Sequence, residues 1–238
     1  MGRKWVKRLL LILGIILLIA FINYEILQRH SWSSWHLPLS GKVIVIDPGH
    51  GGPDGGAEGG DLKEKKVALS VAKHLRDYLQ ESGALVLMTR EHDTDLADEG
   101  KKGLSQRKTQ DLQRRAEFIK NSDADAVISI HLNAIPSPKW RGAQTFYHPK
   151  SEENEKMARF IQDSLRIQLT NTNRYARPIE HVYLLKKVNV PASLVEIGFL
   201  SHSEERRLLE TNDYQKKVAV SIYHGIMRYF TNEKAPLK

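Results

Sequence analysis

The sequence predicts an α/β fold. It is an open, twisted, mixed sheet with helices on both faces, in one domain, with a separate apolar helix at the N-terminus. Three observations lead there. Short runs of β-branched residues recur along the chain, each stopped by turn residues. Between them lie stretches whose apolar residues fall three and four positions apart. Strand and helix patterns alternate, as in a sheet covered on both sides.

The first strand is residues 43–46, all Val and Ile, stopped by Asp47-Pro48-Gly49. A glycine-rich loop follows and carries His50. A helix begins at Glu64, with Val67, Val71, Leu75 and Leu79 on one face, and Gly83 ends it. Residues 85–89 form the second strand. Residues 91–108 are polar and uneven and read as a long loop. Asp111 is placed to cap a helix whose apolar face includes Leu112, Ala116 and Ile119. Strands at 126–130 and 143–147 come next, the former ending at His131. A helix over 152–169 turns Met157, Phe160, Ile161, Leu165 and Leu169 inward. Residues 182–185 and 193–197 read as further strands. Two helices follow, one near 204–209 and one from Asp213 with Val218, Ile222, Ile226 and Phe230 inward. The domain thus runs over residues 42–231, with a tail at 232–238.

Hydrophobic residues make up 41% and charged residues 27%, enough for a sizeable core. The net charge of +8 suits anionic partners such as nucleic acid, anionic lipid or an acidic cell wall, or simply a basic soluble face. Lys and Arg are not interleaved with aromatics, which argues against nucleic acid. Cysteine is absent, so disulfides and thiolate chemistry are excluded. A metal site must then draw on His, Asp or Glu. Residues 9–22 are apolar, interrupted only by Gly14, and follow Arg3, Lys4, Lys7 and Arg8. Basic residues before an apolar run hold the N-terminus in the cytoplasm and send the rest outside. No clear Ala-x-Ala site follows, so residues 1–29 read as an uncleaved signal anchor in preference to a cleaved signal peptide. Residues 30–41 read as a linker whose Trp32 and Trp35 rest near the membrane surface.

Sites in open α/β sheets lie beyond the carboxyl ends of strands. The reactive residues there are His50, His131 and Glu196, and Glu64 joins them by starting a helix. Two imidazoles and a carboxylate are a set that catalytic zinc accepts, leaving a fourth position open. Glu196 follows an apolar run, and partial burial raises a carboxyl pKa and suits it to general-base work. Asp47 is placed to hold His50 in one tautomer, or to cap the loop. Plainer roles exist for each: His50 as a turn residue, Glu64 as a first-turn carboxylate favoured by the helix dipole, His131 as a core histidine. The four positions form no compact motif. The glycine-rich loop lacks the Gly-Lys-Ser/Thr ending of a phosphate-binding loop.

From about Lys42 to Phe230 the chain resembles the zinc-dependent N-acetylmuramoyl-L-alanine amidases of the amidase_3 type. The resemblance is carried by IDPGHGGPDGGA, LKEKKVAL, Thr89-Arg90, SQRKTQDLQRRAEFIKNSDADAVISIHLNA and PASLVEIGFLSH, in that order. The apolar N-terminal segment and the HLPLSGK entry are similar to the germination-specific, spore-cortex members. The resemblance implies one Zn2+ held by His50, Glu64 and His131, with Glu196 catalytic. The implied reaction is hydrolysis of the amide between the lactyl group of N-acetylmuramic acid and L-alanine of the stem peptide. Peptidoglycan glycan strands and stem peptides would be the partners, with the membrane met through the N-terminal segment. The protein would face the cell wall or spore cortex, and stem removal there would enable muramic-lactam formation and germination. Asn133, Arg90 and Arg115 are candidates for substrate contact, the arginines toward peptide or muramyl carboxylates. The family usually reads GFLSN where this chain ends in His202, a change expected to affect a turn or cap. Rival readings are a wall-binding protein without catalysis, another extracellular zinc hydrolase, and a nucleic-acid binder. Intact Glu196 opposes the first and the export signal opposes the last.

Overall fold

The computed structural model describes residues 2–29 and 37–236. The chain forms two units, residues 1–37 and residues 38–238. The first contains helix α1 (Arg3–Arg29). Its segment Trp5–Asn23 has a mean hydropathy of 2.5 and is long and apolar enough to cross a membrane. The Leu and Ile side chains of residues 9–22 are exposed within that unit. Trp32 and Trp35 lie outside the described residues.

The second unit runs β1 (Val43–Pro48), β2 (Glu58–Gly59), β3 (Leu62–Lys63), α2 (Glu64–Glu81), β4 (Leu85–Met88), α3 (Leu104–Lys120), β5 (Ala126–Asn133), β6 (Gln144–Tyr147), α4 (Glu152–Leu169), β7 (Arg177–Pro178), α5 (Tyr183–Lys187), β8 (Ala192–Phe199), α6 (Ser203–Leu209) and α7 (Asn212–Phe230). Six strands form one mixed sheet in the order β4-β1-β5-β8-β6-β7. β6 is antiparallel to β8, and the other pairs are parallel. β2 and β3 make a separate small hairpin.

Period-two alternation divides the strands between two cores. Ile44, Ile46, Ile128, Ile130, Val195 and Ile197 pack with α2, α4 and α7 on one face. Val45, Val127, Ala192 and Leu194 pack with Ile119 of α3 and Leu184 and Leu185 of α5 on the other. Because both faces are covered, the strands are nearly continuous apolar runs, which is why they stand out in the sequence. The stripe Val67, Val71, Leu75 and Leu79 on α2 is fully inside. Losing any one of these large side chains to Ala costs about 2–5 kcal/mol.

Three expectations need correction. Asp111 does not cap α3. The helix starts at Leu104, and Asp111 is buried within it, bonded to Arg115 Nε at 2.8 Å and to Leu96 N at 2.8 Å. Residues 182–185 are not a strand, since Tyr183–Lys187 is a short helix with Leu184 and Leu185 buried. A brief apolar run fits either state, and here the buried pair of leucines faces the sheet from a helical turn. Residues 38–41 are part of the folded unit and not linker, because Leu39 is fully buried in the core and its N–H donates to Ser82 O.

Candidate metal centre and active site

The site forms where β1, β5 and β8 end and α2 begins. β1 runs into Pro48 and Gly49, and His50 takes a left-handed conformation, φ 60°. The loop turns back at once, with Gly51 and Asp54 bonded to each other through both backbone groups. Asp54 then reaches His50: its Oδ2 lies 2.8 Å from His50 Nδ1. That contact leaves His50 Nε2 facing the cluster, 3.2 Å from Glu64 Oε2.

Glu64 is the first residue of α2 and only 2% exposed. Its Oε2 accepts from Ala57 N at 2.7 Å and its Oε1 from Leu132 N at 2.9 Å. His131 Nδ1 lies 2.9 Å from Oε1. Burial pushes the Glu64 carboxyl up, but its bonds to His131 and His50 outweigh that and hold it well below the usual range. Burial lowers the His131 pKa, and the same contact with Glu64 reverses the sign and raises it. The two imidazole rings sit 5.1 Å apart at 76°. One donor atom from each of His50, Glu64 and His131 falls within 4.8 Å of the others, and among the described residues this is the group that could hold a metal ion. The close packing explains two glycines. A Cβ on Gly49 would collide with the His131 ring, and one on Gly56 (φ +71°) would meet Glu64 Oε2 at 2.5 Å and His50 Cδ2 at 2.7 Å. The donor set fits a borderline ion such as zinc, with two imidazoles, one carboxylate and an aspartate fixing one tautomer.

Glu196 sits next to this group. It pairs with His131 in the β5–β8 register, so both side chains leave the same face of the sheet. Its Oε2 is buried without a hydrogen-bond partner. Burial pushes its pKa up to about 7 from an ordinary 4.5, and the nearby imidazoles only partly offset that. A carboxyl near neutrality beside a cluster of ligating groups can both take and give a proton.

The structure reassigns three residues expected at the site. Asp47 does not touch His50. Its carboxylate accepts from Thr89 Oγ1, Ser129 Oγ and Arg115 Nη1. Arg115 is 1% exposed and faces inward, also donating to Asp111, Pro48 O and His50 O. Arg90 is 3% exposed and donates to Pro48 O, Gly49 O, Lys65 O and His92 O. With their donors used on the loop backbone, the two arginines hold the loop in place and have no face for substrate carboxylates. The true partner of His50 is Asp54, missed in the sequence although it stands four residues on in the same loop. Asn133 lies at the end of β5 and lines a cavity of about 520 Å³ with Trp140, Gln144, Arg174 and Phe199. His202 caps α6 by accepting from Glu205 N, consistent with a turn or cap position.

Residues 44–228 match the family described as N-acetylmuramoyl-L-alanine amidase, Amidase_3. The chain belongs to this amidase family. The amidase is 57% identical over 234 residues to the germination-specific N-acetylmuramoyl-L-alanine amidase of Bacillus subtilis strain 168, covering 98% of this chain and 99% of that one. Among solved structures it is similar to the CwlD amidase from Clostridioides difficile in complex with the GerS lipoprotein. The TM-score is 0.79 and the identity 39%, over 81% of this chain and 100% of that one. It is also similar to an N-acetylmuramoyl-L-alanine amidase from Clostridium difficile 630, with a TM-score of 0.72 and 29% identity over 81% and 98%. The chain is therefore an N-acetylmuramoyl-L-alanine amidase, an enzyme that hydrolyses peptidoglycan and a homologue of the germination-specific type.

Proposed function

We propose that this amidase is zinc-dependent and cleaves the lactyl–L-alanine amide through His50, Glu64, His131 and Glu196. The observation that carries the reading is the buried, unpartnered Oε2 of Glu196, one strand away from a ready set of two imidazoles and a carboxylate. His50, Glu64 and His131 would hold one Zn2+, which when bound supplies a Lewis acid beside the scissile carbonyl. Glu196 takes a proton from the attacking water and delivers it to the departing amine of L-alanine. Asp54 keeps His50 Nδ1 engaged, so that Nε2 is the nitrogen presented. Asn133 sits two residues beyond His131 and is placed to bond the substrate. The basic N-terminal flank and the apolar α1 support export with the catalytic domain outside, anchored or secreted, facing the wall or spore cortex. The 57% likeness to a germination-specific amidase supports a role in cortex maturation, in which stem removal prepares muramic acid for lactam formation.

Digestion of purified peptidoglycan followed by mass analysis tests the reaction. The expected products are free L-alanine amino termini and stem-free muramic acid, both abolished by a chelator and restored by zinc. Stems still attached to glycan with zinc bound would refute it. Cortex with normal lactam content in a strain lacking the protein would refute the cortex role alone.

A further inference from the structure

We propose that the cavity bounded by β6, β7 and Phe199 is the subsite for the acidic stem peptide, with Arg174 and Arg177 as its specificity residues. The stem then leaves the catalytic centre over the β6–β7 edge of the sheet. This deepens the amidase reading and rests on it.

The cavity starts at the chemistry. Gln144 in its wall is the register partner of Glu196 across β6 and β8, about 5 Å away by strand spacing. Asn133 is two residues beyond His131, and Phe199 is three beyond Glu196. Its two arginines are unlike the others near the site. Arg90 and Arg115 are spent on the loop, and Arg107 is held by Asp95. Arg174 and Arg177 have no carboxylate within 4.0 Å among the described residues, and the Arg174 guanidinium feels the charge of Arg177. Glu205, whose charge Arg174 also feels, already accepts from Gly142 N, Phe199 N and Asn171. Arg174 is fixed nonetheless. Its Nη1 donates to Gly142 O at 2.6 Å, and its guanidinium lies 5.0 Å from the Phe199 ring centre and 5.9 Å from that of Trp140. Strand pairing with Phe146 fixes the backbone of Arg177. A held guanidinium with a second, exposed one beside it, like-charged and without an anion between them, is suited to receive a carboxylate.

The substrate says which carboxylate. The N-acetyl sugars are uncharged, and the muramic carboxyl is consumed in the scissile amide. Fixed negative charge begins on the peptide, at the free α-carboxylate of the γ-linked D-glutamate after L-alanine. Two residues of extended chain span about 7 Å, enough to pass from Glu196 across one strand into the cavity. The glycan is left the opposite side, along the glycine-rich loop.

The test compares two muramyl disaccharides whose stems run through the third residue, so that the D-glutamate γ-carboxyl is tied up as an amide, one with the D-glutamate α-carboxylate free and one with it amidated, with the zinc-loaded full chain. The acid is expected to be cleaved with a kcat/KM about ten-fold or more above the amide, mainly through KM. In Arg174→Gln, and separately in Arg177→Gln, the ratio falls toward one. Arg177 is exposed, so its variant reads the effect without a folding penalty. Equal rates for acid and amide in the wild type, or an unchanged ratio in both variants, overturn the subsite. Failure of the zinc-bound wild type to cleave either compound would instead overturn the amidase reading, and the subsite with it.

Discussion

Asp47 and Glu196 are both strand carboxylates on the same face of one sheet, each beside a residue of β5, and they are treated in opposite ways. Asp47, paired with Ser129, has both oxygens bonded. Burial pushes its carboxyl up, but Arg115 and the two hydroxyls overcome that and hold it well below the usual range. Glu196, paired with His131, keeps one buried oxygen without a partner, and its pKa rises to about 7. A buried carboxylate with both oxygens answered is scaffold: it locks the loop through Arg115. One left with an unanswered oxygen carries a stability cost, and beside the His50–Glu64–His131 group a chemical role accounts for it.

Breaking each side of this contrast should give opposite results. Glu196→Gln is expected to lower amidase turnover by about 10²–10⁴-fold without loss of bound zinc, read by product release and metal analysis. Arg115→Met leaves Asp47 and Asp111 as uncompensated buried charges, and should lower unfolding free energy by about 3–5 kcal/mol in urea titration. The pH dependence sharpens the contrast in chelator-treated protein. Because folding raises the Glu196 pKa, the stability contributed by its protonated form is complete below 4.5 and lost as pH rises through about 7. Glu196→Gln should match the wild type at pH 4 and exceed it at pH 8 by on the order of 3 kcal/mol. Equal stabilities at both pH values would remove the claim that Glu196 is strained. Smallest of the four, Asp54→Asn should weaken zinc binding by about 10–100-fold while leaving the fold intact.

The sheet and most helices were legible in the sequence because burial on two faces demands unbroken apolar strands and spaced stripes. Residues 43–46 and 193–197 and the α2 stripe are cases. The start of α3 was not legible, since its first two turns are polar. Partners outside the helix hold them, with Arg107 on Asp95 and Gln110 on Asp98. Arg115 reads in the sequence as a candidate for substrate contact for the same reason: its partner Asp47 is 68 positions away, and nothing local marks the pair. Of the site, His50, Glu64, His131 and Glu196 stood out because each follows or closes an apolar strand run or begins a helix, and the strands of His131 and Glu196 run on to Asn133 and Phe199. Asp54 did not, because an aspartate among loop glycines looks like an ordinary turn residue until the loop folds back on His50.

The most direct test of a metal centre formed by His50, Glu64 and His131 is a zinc titration of the full chain, its Glu196→Gln variant and a His50→Ala variant. One tight zinc per chain is expected in the first two and no tight site in the third. A wild type without tight zinc, or His50→Ala binding zinc as tightly as the wild type, would contradict it.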